Sequence, residues 1–131
     1  MAKILSYFRY YLFDKFRTTF HLYKSDRRDK KYVMTMPKFK HKHYFGQENY
    51  RDFTLMNKKT SKFYEPDIKQ REKIRTAYLK RHAKNKKSIH SPSSMSDIIL
   101  WSAPTLQQGI KNFEKRYKVN IIYHNYIYNG E

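Results

Sequence analysis

The chain has no cysteine. Disulfides and thiolate metal ligands are therefore excluded, as expected of a protein assembled in the cytosol. Glycine is scarce, with three in 131 residues, and no glycine-rich loop of the phosphate-cradling kind is present. Long apolar runs are missing too, and nothing approaches the ~20 residues of a membrane helix. The N-terminal stretch "MAKILSYFRYYLFDKF" is interrupted by Arg9 and Asp14, which predicts neither a span nor a signal peptide. Above all the chain is short of acid. Eleven Asp and Glu stand against 29 Lys and Arg, so the formal net charge is 29 − 11 = +18.

That excess is self-repulsive and calls for a polyanion: nucleic acid, an anionic lipid surface or an acidic protein face. It is spread along the chain. Residues 1–65 carry 16 basic and 6 acidic side chains, and residues 66–131 carry 13 and 5. A basic arm on a neutral domain is thereby excluded. The stretch "AYLKRHAKNKK", 77–87, concentrates Lys80, Arg81, His82, Lys84, Lys86 and Lys87 without an acid. Aromatic residues reach 18 %, which separates the chain from disordered basic tails and predicts a folded domain. Aliphatic residues are few, so the core is expected to be built largely from Tyr and Phe, each buried hydroxyl needing a partner.

Periodicity predicts an α+β fold, a small antiparallel sheet packed against three to four helices. Ile4, Phe8, Leu12 and Phe16 fall at i, i+4 spacing, which predicts an amphipathic helix over residues 3–17 that packs its stripe on the rest of the protein, the alternative being that this basic, aromatic helix lies on a membrane surface. Short strands are predicted over residues 18–46 from "TTFHLY", "KYVMTMP" and "KFKHKHYFG". Alternation would put Lys40, Lys42 and Tyr44 on one face and His41, His43 and Phe45 on the other. "GQENYRDFTLMNKKTSKFYE" reads as loop. A helix over about 66–85 opens with Pro66 and Asp67. Ser94 and Asp97 are spaced as a capping box for a short apolar helix, "DIILW". Leu106, Ile110, Phe113 and Tyr117 mark a last helix over 105–117, in which Gly109 costs about 1 kcal/mol relative to Ala. "VNIIYHNYIY" is a strand or ordered tail. The resulting division is 1–30 for the N-terminal helix and first strand, 31–118 for the α+β core, and 119–131 for a Tyr-rich strand or docking tail.

The order of short motifs resembles a family of small basic proteins encoded by large nucleocytoplasmic DNA viruses of algae and protists. The resemblance rests on Lys31 and Tyr32, on "YFG" at 44–46, "YRDFT" at 50–54, "YLKRH" at 78–82, "LWSAPTL" at 100–106 and "KRY" at 115–117. It covers roughly residues 30–120. Tyr44 stands where the family pattern has His, Asn49 where it has Gly, and Asp97 where it has a basic residue. The linker "KNKKSIHSPSS" lacks the acidic and Trp residues of that region. The resemblance implies a viral setting, namely the viral factory in the host cytoplasm and the virion. It carries no activity with it.

Three chemistries compete for the candidate residues. His41 and His43 could be two metal ligands, but no Cys or compact acidic group accompanies them, and Lys40 and Lys42 repel a cation. Two-metal phosphoryl hydrolysis needs clustered carboxylates. Glu65, Asp67 and Glu72 are near in sequence, but Asp67 suits a helix start and Glu72 an intrahelical ion pair. No enzyme, cofactor or small-molecule substrate is therefore expected. Nucleic-acid binding needs basic side chains for phosphates and exposed aromatic rings for bases. The expected phosphate contacts are Lys38, Lys40, Lys42, Arg71, Arg75, Lys80, Arg81, Lys84, Lys86 and Lys87. Tyr78, Trp101, Phe113 and Tyr117 lie on helical apolar stripes and are expected in the core. The alternative is a minor capsid, or cement, protein whose charge meets acidic capsid faces or anionic lipid. A nucleic-acid binder should present one continuous basic face. A cement protein should scatter its charge and bury its termini in neighbours.

Overall fold

A computed structural model describes residues 17–36, 40–85 and 88–130. The helix expected over 3–17 lies almost wholly outside them, as do Lys38, Lys86 and Lys87. Four strands form one mixed sheet in the order β3-β2-β1-β4. They are β1 (Thr19–Lys24), β2 (Lys30–Met36), β3 (His41–Gln47) and β4 (Asn120–Ile127). β1 pairs antiparallel with β2, and β2 with β3, as alternation and the intervening turns predict. β4 lies parallel to β1, with Leu22 opposite Tyr123. The sheet is thus mostly antiparallel, as expected over residues 18–46, with β4 added in parallel at its edge. The helices between β3 and β4 carry the chain back across the sheet, so β4 enters from the end at which β1 begins.

One sheet face carries Phe20, Leu22, Met34, Met36 and Phe45 into the core. Phe53, Met56, Met95, Ile99, Leu100, Trp101, Ile110, Phe113 and Val119 close it from the helical side. Phe and Met fill this core more than Tyr, which corrects the composition-based expectation. A thioether adapts to irregular gaps and needs no hydrogen bond. Tyrosines sit at its margin, where their hydroxyls find partners: Tyr78 bonds Asp97 and Tyr117 bonds Ser94.

The stretch expected as loop contains one helical turn, α1 (Phe53–Met56), because Asp52 caps it by accepting from Leu55 N at 3.0 Å. α2 (Ile68–His82) starts where expected, and the Asp67 carboxylate accepts from Lys69 N and Gln70 N. None of its residues is fully buried. α3 (Pro92–Met95) is capped by Ser91 and runs into a π-helical turn, Ser96–Leu100. The capping box expected from Ser94 and Asp97 does not form, since both side chains are buried and bonded to tyrosines. α4 (Leu106–Tyr117) is capped by Thr105 and buries Ile110 and Phe113 from the predicted stripe. Gly109 explains the missing side chain in that helix. A Cβ there would stand 2.0 Å from the Ile99 carbonyl oxygen, so glycine lets α4 lie directly on the π-helical turn.

Candidate nucleic-acid interface

A cleft of about 750 Å³ opens between the sheet and α2. One wall comes from Lys30 and Lys31, the end of β3, and the loop bearing Tyr50, Arg51 and Asp52. The other comes from α2, through Gln70, Lys73, Ile74, Ala77, Tyr78, Arg81 and His82. Leu100 and Trp101 lie between them. Gly46, at φ +76°, brings β3 close to the π-helical turn here, and a Cβ at that position would meet Leu100 Cδ1 at 2.8 Å.

Rings and clamps hold the helical wall. The Tyr78 ring stacks on Trp101 at 3.9 Å and on His82 at 4.1 Å. Two parallel rings that close to the same plane must lie on opposite faces, so Tyr78 is the centre of a three-ring stack. Its hydroxyl donates to Asp97 Oδ1 at 2.8 Å. Burial first, and the Asp52 charge second, push the Tyr78 pKa up to about 12, so this donor stays protonated. Arg75 fixes Trp101 from the backbone side. Its Nε donates to the Trp101 carbonyl and its Nη2 to the Ser102 carbonyl, each at 2.9 Å.

The electrostatics of the cleft are one-sided. Asp52 is the acid among the described lining residues, and it is already engaged. Lys31 Nζ donates to its Oδ2 at 2.8 Å, while Thr54 Oγ1 and Leu55 N donate to its Oδ1. Lys31 Nζ also donates to the Tyr50 carbonyl at 2.6 Å. That leaves Lys30, Arg51, Lys73 and Arg81 lining the cleft. Arg51, Lys73 and Arg81 are exposed.

Of the ten phosphate contacts expected from sequence, Arg81 lines this cleft. Lys80 and Lys84 are exposed beside it near the end of α2, outside the lining. Lys40 and Lys42 are exposed at β3, where Lys42 Nζ lies over the rings of Tyr44 and Tyr128 at 5.8 and 5.5 Å. Arg71 and Arg75 turn inward. Arg71 donates to Asn57 and sits over Tyr64, and Arg75 clamps the Trp101 segment and pairs with Glu72 at 3.6 Å. Of the basic side chains of α2, Arg71 and Arg75 thus face the protein, while Lys69, Lys73, Lys80 and Arg81 are exposed. Lys30, Arg51 and Lys73 were missed, because none belongs to a dense charge run. Arg51 sits beside Tyr50, and that basic–aromatic dipeptide was the available signal.

The acids weighed for hydrolysis have local roles. Asp67 caps α2, Glu65 accepts from Asp67 N at 3.2 Å, and Glu72 pairs with Arg75. Among the described residues no group of three or more His, Cys, Asp or Glu is arranged to hold a metal ion. His43 is half-buried with His41 and His90 nearby, at ring separations of 6.1 and 6.4 Å. Among the described residues no helix is long and apolar enough to cross a membrane. Set against known proteins, the chain matches no family model, no curated protein and no solved structure.

Proposed function

We propose that the protein is a non-enzymatic nucleic-acid binder, acting in the viral factory or virion of a large DNA virus, and that the cleft beside α2 is its contact surface. The observation that carries this is the convergence of Lys30, Arg51, Lys73 and Arg81 on a cleft whose lining acid, Asp52, is already neutralised by Lys31. A concave, low-dielectric wall focuses such charge on an incoming polyanion. Phosphate contacts then gain from counterion release. The segments on which the viral resemblance rests, "KRY" at 115–117 apart, each contribute residues to the same cleft.

The test is binding of labelled oligonucleotides between about 50 and 300 mM salt. Four cations on a single strand predict a log–log salt slope of about −3, at roughly −0.7 per phosphate neutralised. Replacing Lys73→Ala and Arg81→Ala together flattens that slope by about 1.4. No binding at physiological salt overturns the reading.

A second reading, a capsid cement protein, is favoured by one feature. β4 is an edge strand, and Ile122, Tyr126 and Ile127 are exposed along it. An apolar edge that the described residues leave uncovered is a surface that protein partners complete. Nuclease-resistant co-sedimentation with capsid shells would move this reading ahead of the first.

A further inference from the structure

We propose that the cleft takes an unpaired nucleotide of single-stranded nucleic acid, and that Tyr50 is the platform on which its base stacks. This deepens the nucleic-acid reading and rests on it. The cleft is not lined by charge alone. Ile74, Ala77 and Leu100 make part of its surface apolar. A phosphodiester gains nothing from apolar surface and loses hydration against it. A base gains on both counts, because its faces are apolar and every base has one. A duplex keeps those faces stacked inside and is read by a helix or ribbon that protrudes into a groove. Here the cations line a concavity, and α2 has Arg71 and Arg75 turned into the protein.

Tyr50 supplies the stacking surface. Its side chain is 65 % exposed at the mouth of the cleft. Its carbonyl is held by Lys31 Nζ at 2.6 Å, and Lys31 is in turn held by the buried Asp52. An exposed ring on a fixed backbone loses little entropy when a base settles on it. Arg51 is the next residue, and Lys73 and Arg81 face it across the cleft, placed for the phosphates on either side of the base. The volume of about 750 Å³ accommodates a nucleotide and falls within the range of sites that enclose small ligands. Stacking reads no particular base, so sequence preference should be weak.

The experiment compares a labelled oligothymidine of about twelve nucleotides with a hairpin duplex carrying the same number of phosphates. The full chain is used at fixed salt. The strand should bind at least about tenfold tighter than the duplex, and should change the emission of Trp101, which lines the cleft and is the chain's single tryptophan. Tyr50→Ala should weaken the strand about 5- to 100-fold and the duplex less than about twofold, while Tyr50→Phe stays within about twofold on both. Equal affinity for strand and duplex overturns the inference and leaves the nucleic-acid reading standing, as does a Tyr50→Ala variant that binds the strand normally. Binding of neither probe overturns both. Tyr50 is exposed, and matched circular dichroism of its variants separates a binding loss from a folding loss.

Discussion

Lys31 and Asp52 form a short ion pair, 2.8 Å long, with side chains only 10 % and 2 % exposed. Asp52 also caps α1 and accepts from Thr54, so its charge is matched by three donors. A buried pair of this kind is not itself strong evidence of stability, but removing one partner leaves the other charge buried and uncompensated. Lys31→Met should therefore cost about 3–5 kcal/mol in urea unfolding. Arg27 pairs with Asp29 at a similar distance, 3.0 Å, but both side chains are more than half exposed. Arg27→Ala should cost no more than about 1 kcal/mol. Equal costs for the two substitutions would show that burial does not set the value of these pairs. Lys31 also holds the Tyr50 carbonyl, so the same residue that stabilises the fold sets the backbone of the proposed base platform.

Elements meet at close backbone approaches that sequence propensities alone misjudge. Replacing a mid-helix glycine by alanine ordinarily stabilises a helix by about 1 kcal/mol. In α4 the sign should reverse. The Cβ of Gly109→Ala would stand 2.0 Å from the Ile99 carbonyl oxygen, and backbone atoms cannot turn aside as a side-chain end can. Forcing the π-helical turn and α4 apart should cost about 1–3 kcal/mol and lower the thermal midpoint. A raised midpoint would mean that the two elements separate freely. α2 is held differently. It buries no residue fully and depends on Ile74, Tyr78 and Leu79 packed at the edge of the core, with Arg71 and Arg75 bonded to the neighbouring loop and to the Trp101 segment. A helix fixed by clamps can keep its remaining cations for a ligand.

Across the whole molecule the net charge of +18 makes acid conditions unfavourable, and two histidines add to the effect. His21 bonds His124 between ring nitrogens at 2.8 Å across β1 and β4, which needs a donor nitrogen on one ring and an acceptor on the other. Burial, then the charge of His124, lowers the His21 pKa. Burial, then His41 and His90, lowers that of His43. Both are held neutral in the fold below their ordinary value of about 6.5. As pH falls through 6.5 the unfolded chain takes up protons first, so stability is full above that pH and is lost below it. The urea midpoint should therefore drop between about pH 7.5 and pH 5.5, and the His21→Asn, His43→Asn double variant should flatten the drop. An unchanged slope in that variant would assign the acid sensitivity to general charge repulsion.

Local pattern alone determined much of this protein. The alternating β-branched and aromatic runs became β1 to β3, the i, i+4 stripe of Leu106, Ile110, Phe113 and Tyr117 became α4, and Asp67 marked the start of α2. These features act over two to four residues, so they are legible without knowing what they pack against. Composition likewise determined the excess of positive charge. The tertiary structure decided where that charge gathers. Strand β4 takes its parallel place beside β1 only after the helices have crossed the sheet. Asp52 is neutralised by a lysine 21 positions away, and Arg75 is drawn inward by carbonyls 26 and 27 positions on. Lys30, Arg51, Lys73 and Arg81 converge only because the sheet wall and α2 face each other across the same cleft. Charge density in sequence says how many cations a chain has. Which of them remain available to a ligand is set by long-range hydrogen bonds, and those exist only once the fold has closed.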